Sequence, residues 1–146
     1  MSWQPKTIMA AVDGSETSTR AAQRAADLAR LTNAELVLLT VVRPPEGWWG
    51  LDGAPPTPEA FSTAVAAGRR EVLDKVMVAL DLADVRHRTL EEIGEPATVI
   101  AGVAEQEQVD LLVVGRRGAG MLERLMLGSV ADRLAHTSPC PLVIVP

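Results

Sequence analysis

The stretch Asp110–Ser129, DLLVVGRRGAGMLERLMLGS, opens as an apolar run and passes at Gly115 into the glycine pattern Gly115-x2-Gly118-x9-Gly128-Ser129. A short, continuous apolar run bounded by glycine reads as a strand buried on both faces, which is the habit of a parallel sheet covered by helices. Behind the pattern, Val130–His136 reads as a helix with Ser129 at its N-cap position. A glycine-rich loop at such a strand-to-helix junction lets backbone N–H groups approach phosphate oxygens with no Cβ in the way, at the positive end of the helix. The Ser129 hydroxyl stands at the inner edge of that cradle and can serve as cap, as phosphate donor, or as both.

The rest of the chain repeats the alternation. Thr7–Val12 is a short apolar run ending in Asp13-Gly14-Ser15, a turn and helix-start signal. Glu16–Leu31 carries its apolar residues at helical spacing, Ala22, Ala25 and Ala29 with Ala21 and Leu28. Ala34–Val42 is a second buried strand. Thr57-Pro58 supplies an N-cap followed by proline at the first helical position, and the stripe Phe61, Val65, Val72, Val76, Ala79 carries that helix to about Leu82. Val85–Leu90 is a more polar strand suited to a sheet edge, Gly94-Glu95-Pro96 starts a helix to about Gln106, and Leu142–Val145 closes the chain. Strands alternating with helices imply βαβ units with right-handed crossovers. The expectation is an α/β, Rossmann-like, doubly wound fold in one domain over residues 1–146: a five-stranded, mainly parallel sheet with helices on both faces. Ligands of such folds sit beyond the carboxyl ends of the strands where the winding reverses, so Asp13 and the Gly115 loop open on one crevice if their strands are neighbours.

Composition narrows the function. The 146 residues suffice for a full core, and the apolar 47% is mostly Ala, Val and Leu. The net charge of −5 offers nothing to nucleic acid or an anionic membrane surface. Apolar runs stay well short of ~18–20 residues and nothing near Met1 resembles a signal peptide, so membrane and secretion are not expected. The single Cys140 fits a reducing cytoplasm. Arg43–Thr57, with four prolines, three glycines and the Trp48-Trp49 pair, is a long connection of the kind that serves a functional loop, although such a pair more often packs on its own domain. There is no G-x4-G-K-[ST], no dinucleotide fingerprint after the first strand, and no Cys or His pairing at metal-ligand spacing. Arg116, Arg117 and Arg124 make the glycine loop locally basic, and one or two of them can offset phosphate charge. For any single one of them, a solvated surface arginine is the more common reading. Asp13 is open to two roles, ligand contact or a plain helix-start carboxylate.

The first strand ending Val12-Asp13-Gly14-Ser15, the Gly94-Glu95-Pro96 helix start, the strand into Gly115, the glycine pattern and the closing Ser138-Pro-Cys-Pro-Leu-Val-Ile-Val-Pro146 together resemble the universal stress protein family, in its ATP-binding branch. The resemblance covers nearly the whole chain. It implies an adenine-nucleotide-hydrolase-like fold binding ATP with Mg2+ or Mn2+, the metal held mainly through the triphosphate. It places Val12 and Val41 beside the adenine, Asp13 at the ribose or the metal–phosphate region, and Gly115 and Gly118 against ribose and phosphates. Gly128, Ser129 and Val130 hold the phosphates; beside what the resemblance implies, the basic character of the loop adds Arg116 to the candidate binding residues. The resemblance also implies a homodimer through Leu142–Val145, an apolar edge that needs covering. Three functions remain open: a nucleotide-occupancy module in a stress response, a slow ATPase or phosphotransferase at the same site, and a dimeric scaffold whose glycine loop is only a turn. Catalysis is the weaker expectation, because no residue stands out to position an attacking water.

Overall fold

A computed structural model describes residues 2–43, 57–117 and 127–146. The order of elements is β1 (Thr7–Val12), α1 (Glu16–Thr32), β2 (Glu35–Val42), α2 (Pro58–Ala79), β3 (His87–Ile93), α3 (Pro96–Gln106), β4 (Leu111–Gly115), α4 (Ser129–Thr137) and β5 (Leu142–Val145). The strands form one sheet in the order β3-β2-β1-β4-β5. Every pairing is parallel, with Val12 opposite Thr40, Ile8 opposite Leu111 and Gly115 opposite Val145. After β1 the chain winds one way through β2 and β3, then crosses back to β4 and β5. The winding therefore reverses between β1 and β4, and the doubly wound expectation holds.

Alternation along the strands divides the core in two. Ile8, Ala10, Leu36, Leu38, Leu111 and Val113 face α1 and α2. Met9, Val37, Leu39, Leu112 and Val114 face α3 and α4. The helix α1 meets the sheet through Ala21, Ala22, Ala25, Ala26 and Ala29, all at most 1% exposed. Alanines at that spacing bring the helix axis close to the sheet, so larger strand side chains fill the layer. The helix begins at Ser15, whose Oγ accepts the Ser18 N–H at 3.1 Å, and ends on Asn33 in the left-handed conformation. At the opposite, amino edge of the sheet, Asp110 Oδ2 accepts the Lys6 and Thr7 N–H groups at 2.8 and 3.0 Å, tying β1 to β4. Arg88 joins Glu35 and Glu107 at 2.9 Å each on that same amino side.

Several boundaries differ from the sequence reading, each for a tertiary reason. β3 runs from His87 to Ile93, beyond the expected Val85–Leu90, because parallel pairing with β2 continues to Val42 opposite Ile93 whatever the polarity of Glu91 and Glu92. The helix α2 stops at Ala79 rather than Leu82. Its stripe is seen at Val72 and Val76, which pack against the α1 side of the core, while the side chains of Phe61 and Val65 lie outside the described residues. Ser129 is not the cap of α4 but its first residue; the N-cap is Gly128, and it makes no side-chain capping bond. Gly118, Arg124 and the Trp48-Trp49 pair fall outside the described residues. Among the described residues no helix is long and apolar enough to cross a membrane.

Candidate functional site

Parallel strands end at one edge of the sheet, and each following helix starts there. At the β1/β4 reversal this geometry leaves a cleft of about 490 Å³. The end of β1 supplies Ala11, Val12 and Asp13, β2 supplies Val41 with Arg43 just beyond it, and β4 supplies Val114, Gly115, Arg116 and Arg117. The first turns of three helices complete it: Ser18 of α1, Pro96 and Ile100 of α3, and Gly128 through Ala131 at the start of α4. Val12, Asp13, Val41, Gly115, Arg116, Gly128, Ser129 and Val130 are thus brought to one place from four segments of the chain. Gly118, the ninth candidate, is outside the described residues.

The loop that leaves the cleft is pinched at its base. Gly128 N–H donates to the Arg116 carbonyl at 2.7 Å, and Arg116 N–H donates to the Val145 carbonyl at 2.7 Å. Residue 116 therefore links the α4 start to the end of β5 through its own peptide groups. On the other wall, Asp13 N–H donates to Ser18 Oγ at 3.2 Å, while Asp13 Oδ1 accepts the Ser15 N–H at 2.9 Å. Asp13 thus orders the β1–α1 turn, and the cap of α1 is Ser15.

The two loop glycines have different causes. A Cβ on Gly115 would lie 2.7 Å from Thr17 Cγ2 and 3.0 Å from the Thr17 backbone carbon. Close packing of α1 on β4 excludes any larger residue there, with or without a ligand. Gly128 has φ −63° and ψ 154°, values open to any L-residue, so its backbone conformation makes no demand for glycine.

The electrostatics of the cleft follow from its helix starts. The first N–H groups of any α-helix have no intrahelical acceptor. In α3 they are answered internally: Glu95 Oε2 accepts Thr98 N–H at 2.8 Å and Oε1 accepts Ala97 N–H at 3.3 Å. The Thr98 N–H is the main reason that the Glu95 carboxyl stays below the usual carboxylate range, with Ala97 N–H and the nearby Arg133 charge adding to it. Arg133 Nη1 of α4 sits 3.2 Å from Glu95 Oε1. In α4 no side chain caps the start. The described lining includes three arginines, Arg43, Arg116 and Arg117, and one acidic residue, Asp13. Among the described residues, Arg116 Nε and Arg117 Nε are buried atoms with no hydrogen-bond partner. An uncapped helix start with arginines in the same lining suits an anion with several oxygens. The apolar floor of Ala11, Val41, Ile100 and Val114 suits a flat, weakly polar group.

Among the described residues no group of three or more His, Cys, Asp or Glu is placed to hold a metal ion. Cys140 is half-buried, burial pushes its thiol pKa up, and it lies outside the lining. His87 Nδ1 lies 3.0 Å from the Val85 carbonyl, and His136 occupies the last turn of α4, away from the cleft end.

Residues 5–146 match the sequence description of the universal stress protein family. This chain belongs to that family. Among universal stress proteins, one from Methanocaldococcus jannaschii is 33% identical over 147 residues, covering 96% of this chain and 81% of that protein. A solved universal stress protein in complex with cAMP superposes with a TM-score of 0.67 at 26% identity, covering 98% of each chain. Another, from Archaeoglobus fulgidus and in complex with dAMP, superposes at 0.58 over the full length of both chains; at 21% identity it bears on the fold alone.

Sequence reasoning missed Ser18, Arg43, Pro96, Ile100 and Ala131 as lining residues. The signal was present in outline: every helix that follows a strand in a parallel sheet must begin at the same edge as the Gly115 loop. Which first turns face the cleft is settled only by the strand order.

Proposed function

We propose that this universal stress protein binds an adenine nucleotide, ATP with Mg2+ or Mn2+, in the cleft at the carboxyl ends of β1 and β4, and that occupancy of the cleft is its regulatory output in a stress response. The observation that carries the reading is the uncapped start of α4 in a cleft lined by Arg116 and Arg117 and otherwise floored by small apolar residues. The phosphates lie at Gly128, Ser129 and Val130, with Arg116 beside them. The base lies over Val12 and Val41, and Asp13 and Gly115 border the ribose. The described lining offers the metal only Asp13 as a carboxylate, so the triphosphate itself supplies most of its oxygen ligands. A relative solved with cAMP at 26% identity supports an adenine nucleotide in this fold.

Binding ranks ahead of catalysis on a specific ground. Asp13 is the one carboxylate in the described lining, and its Oδ1 is committed to the Ser15 N–H. The protein works in the cytoplasm as a homodimer in which Leu142–Val145 pairs with its copy. In support of this, β5 is a sheet edge whose side chains Leu142, Val143 and Ile144 are only half-buried.

Calorimetric titration of nucleotide-stripped protein with MgATP tests the reading. Saturable binding of one nucleotide per chain is expected at micromolar Kd or tighter, equivalent to about −8.2 kcal/mol or better. At a hundredfold excess over Kd the ligand then stabilises the fold by about 2.7 kcal/mol. No heat at several temperatures with a folded protein would leave the scaffold reading in front.

A further inference from the structure

The glycine pattern leaves its two positions after Gly115 open to any residue, and this chain fills both with arginine. From their placement we infer that Arg116 and Arg117 read the length of the phosphate chain, so that the cleft discriminates nucleoside triphosphate from diphosphate, and both from monophosphate and cyclic monophosphate. The inference rests on the adenine-nucleotide reading and assigns its specificity to two side chains.

Three observations converge. Both arginines line the cleft next to the α4 start, and the Nε of each is buried without a hydrogen-bond partner among the described residues. An arginine at the wall of a cleft is a natural charge-assisted donor to an anionic oxygen. Second, the described lining holds three arginines and one acidic residue, in a chain whose net charge is −5. Such a local reversal of sign suits a ligand carrying several negative charges. A cyclic monophosphate carries only one and can answer few of these donors. Third, the neighbouring start of α3 is already neutralised by Glu95, and that carboxylate is also bridged to Arg133. Additional phosphates are therefore directed toward α4 and the arginine pair, not toward α3.

The backbone of residue 116 holds Gly128 and Val145 through its N–H and carbonyl, so replacing its side chain leaves that linkage in place. The experiment titrates ATP, ADP, AMP and cAMP, each with Mg2+, into the parent protein, Arg116→Met, Arg117→Met, the double variant and the double Lys variant, at two salt concentrations. In the parent, affinity is expected to rise about tenfold or more with each added phosphate, the scale of one charge-assisted hydrogen bond. The double Met variant should collapse that ladder, binding ATP and AMP within about threefold of each other, and should lose most of the salt dependence of ATP binding. The double Lys variant keeps the charges without the planar fork and should restore part of the ladder. Equal affinity for all four nucleotides in the parent overturns the inference while leaving nucleotide binding intact. A uniform loss of all four in the Met variants also overturns it, since the arginines would then shape the cleft without reading phosphates. Binding of none of the four by the folded parent overturns the inference together with the reading beneath it.

Discussion

The helices α3 and α4 begin on the same face of the sheet, at the same cleft, and begin differently. Glu95 places a carboxylate on the first N–H groups of α3. Gly128 places nothing on those of α4. The α3 start carries a capping carboxylate, whereas α4 has no side-chain cap and only the exposed Asp132 in its first turn. On the proposed reading, a helix start serves an anionic ligand where no side chain caps its first N–H groups. Arg133 reinforces the contrast, since its contact with Glu95 ties the satisfied end of α3 to the flank of α4.

The largest test of this contrast makes α4 like α3. Gly128→Asp installs a cap of the kind Glu95 provides, on a backbone that accepts it. MgATP affinity should fall by about a hundredfold or more, since like charges brought together cost several kcal/mol. The stability of the ligand-free protein should meanwhile stay level or rise by a few tenths of a kcal/mol. Opposite signs in calorimetry and chemical denaturation are the expected signature; an Asp variant that binds ATP as the parent does would move the phosphates away from α4. Gly128→Val should also abolish binding, through bulk and not charge.

Gly115→Ala sharpens the contrast between the two glycines that bound the loop. Its Cβ would meet Thr17 at 2.7 Å, so α1 must shift. A loss of about 1–3 kcal/mol is expected in denaturant unfolding, whether or not nucleotide is present. A cost seen only in the nucleotide-bound protein would mean that this glycine, too, serves the ligand.

Thr40 provides the control for the orphaned arginine atoms. Its Oγ1 is buried without a partner, but it lies in the strand interior and not in the cleft lining. Thr40→Val should raise stability by about 1 kcal/mol by removing an unanswered hydroxyl, and leave MgATP affinity unchanged. A change in affinity would show that β2 communicates with the cleft through this position.

The smallest effect belongs to the satisfied end. Glu95→Gln should cost about 0.5–1 kcal/mol at neutral pH, the range of a helix cap with its dipole interaction. The folded-state pKa of Glu95 is lowered, so its contribution is fully present above the ordinary value of 4.5 and is lost as pH falls through the lower folded value. The gap between parent and variant in thermal unfolding should therefore close below about pH 4.5. A gap that persists unchanged into stronger acid would show that charge contributes nothing at this cap.

Much of this was legible along the chain. The buried runs, the alanine stripe of α1, Pro58 and Pro96 as helix openers, and the pattern ending in Gly128-Ser129 all record local demands that repeat at fixed spacings. Ser129 reads as a cap because Ser is a common cap residue, whereas the helix starts one residue earlier around Gly128. The sequence pattern ends β3 too early because its extension through Glu91 and Glu92 depends on pairing with β2, which polarity along β3 does not reveal.

The sequence by itself determined the alternation of strand and helix, the parallel sheet, and the residues of the glycine pattern, because periodicity and turn chemistry act between near neighbours. Only the tertiary structure decided that Gly115 answers to Thr17, that Pro96, Ile100 and Arg43 join the cleft, and that α4 starts uncapped while α3 does not. Those facts depend on which strand ends lie side by side. Distances across the sheet and the balance of charge in a cleft are sums over segments far apart in the chain, and no single stretch of sequence contains them.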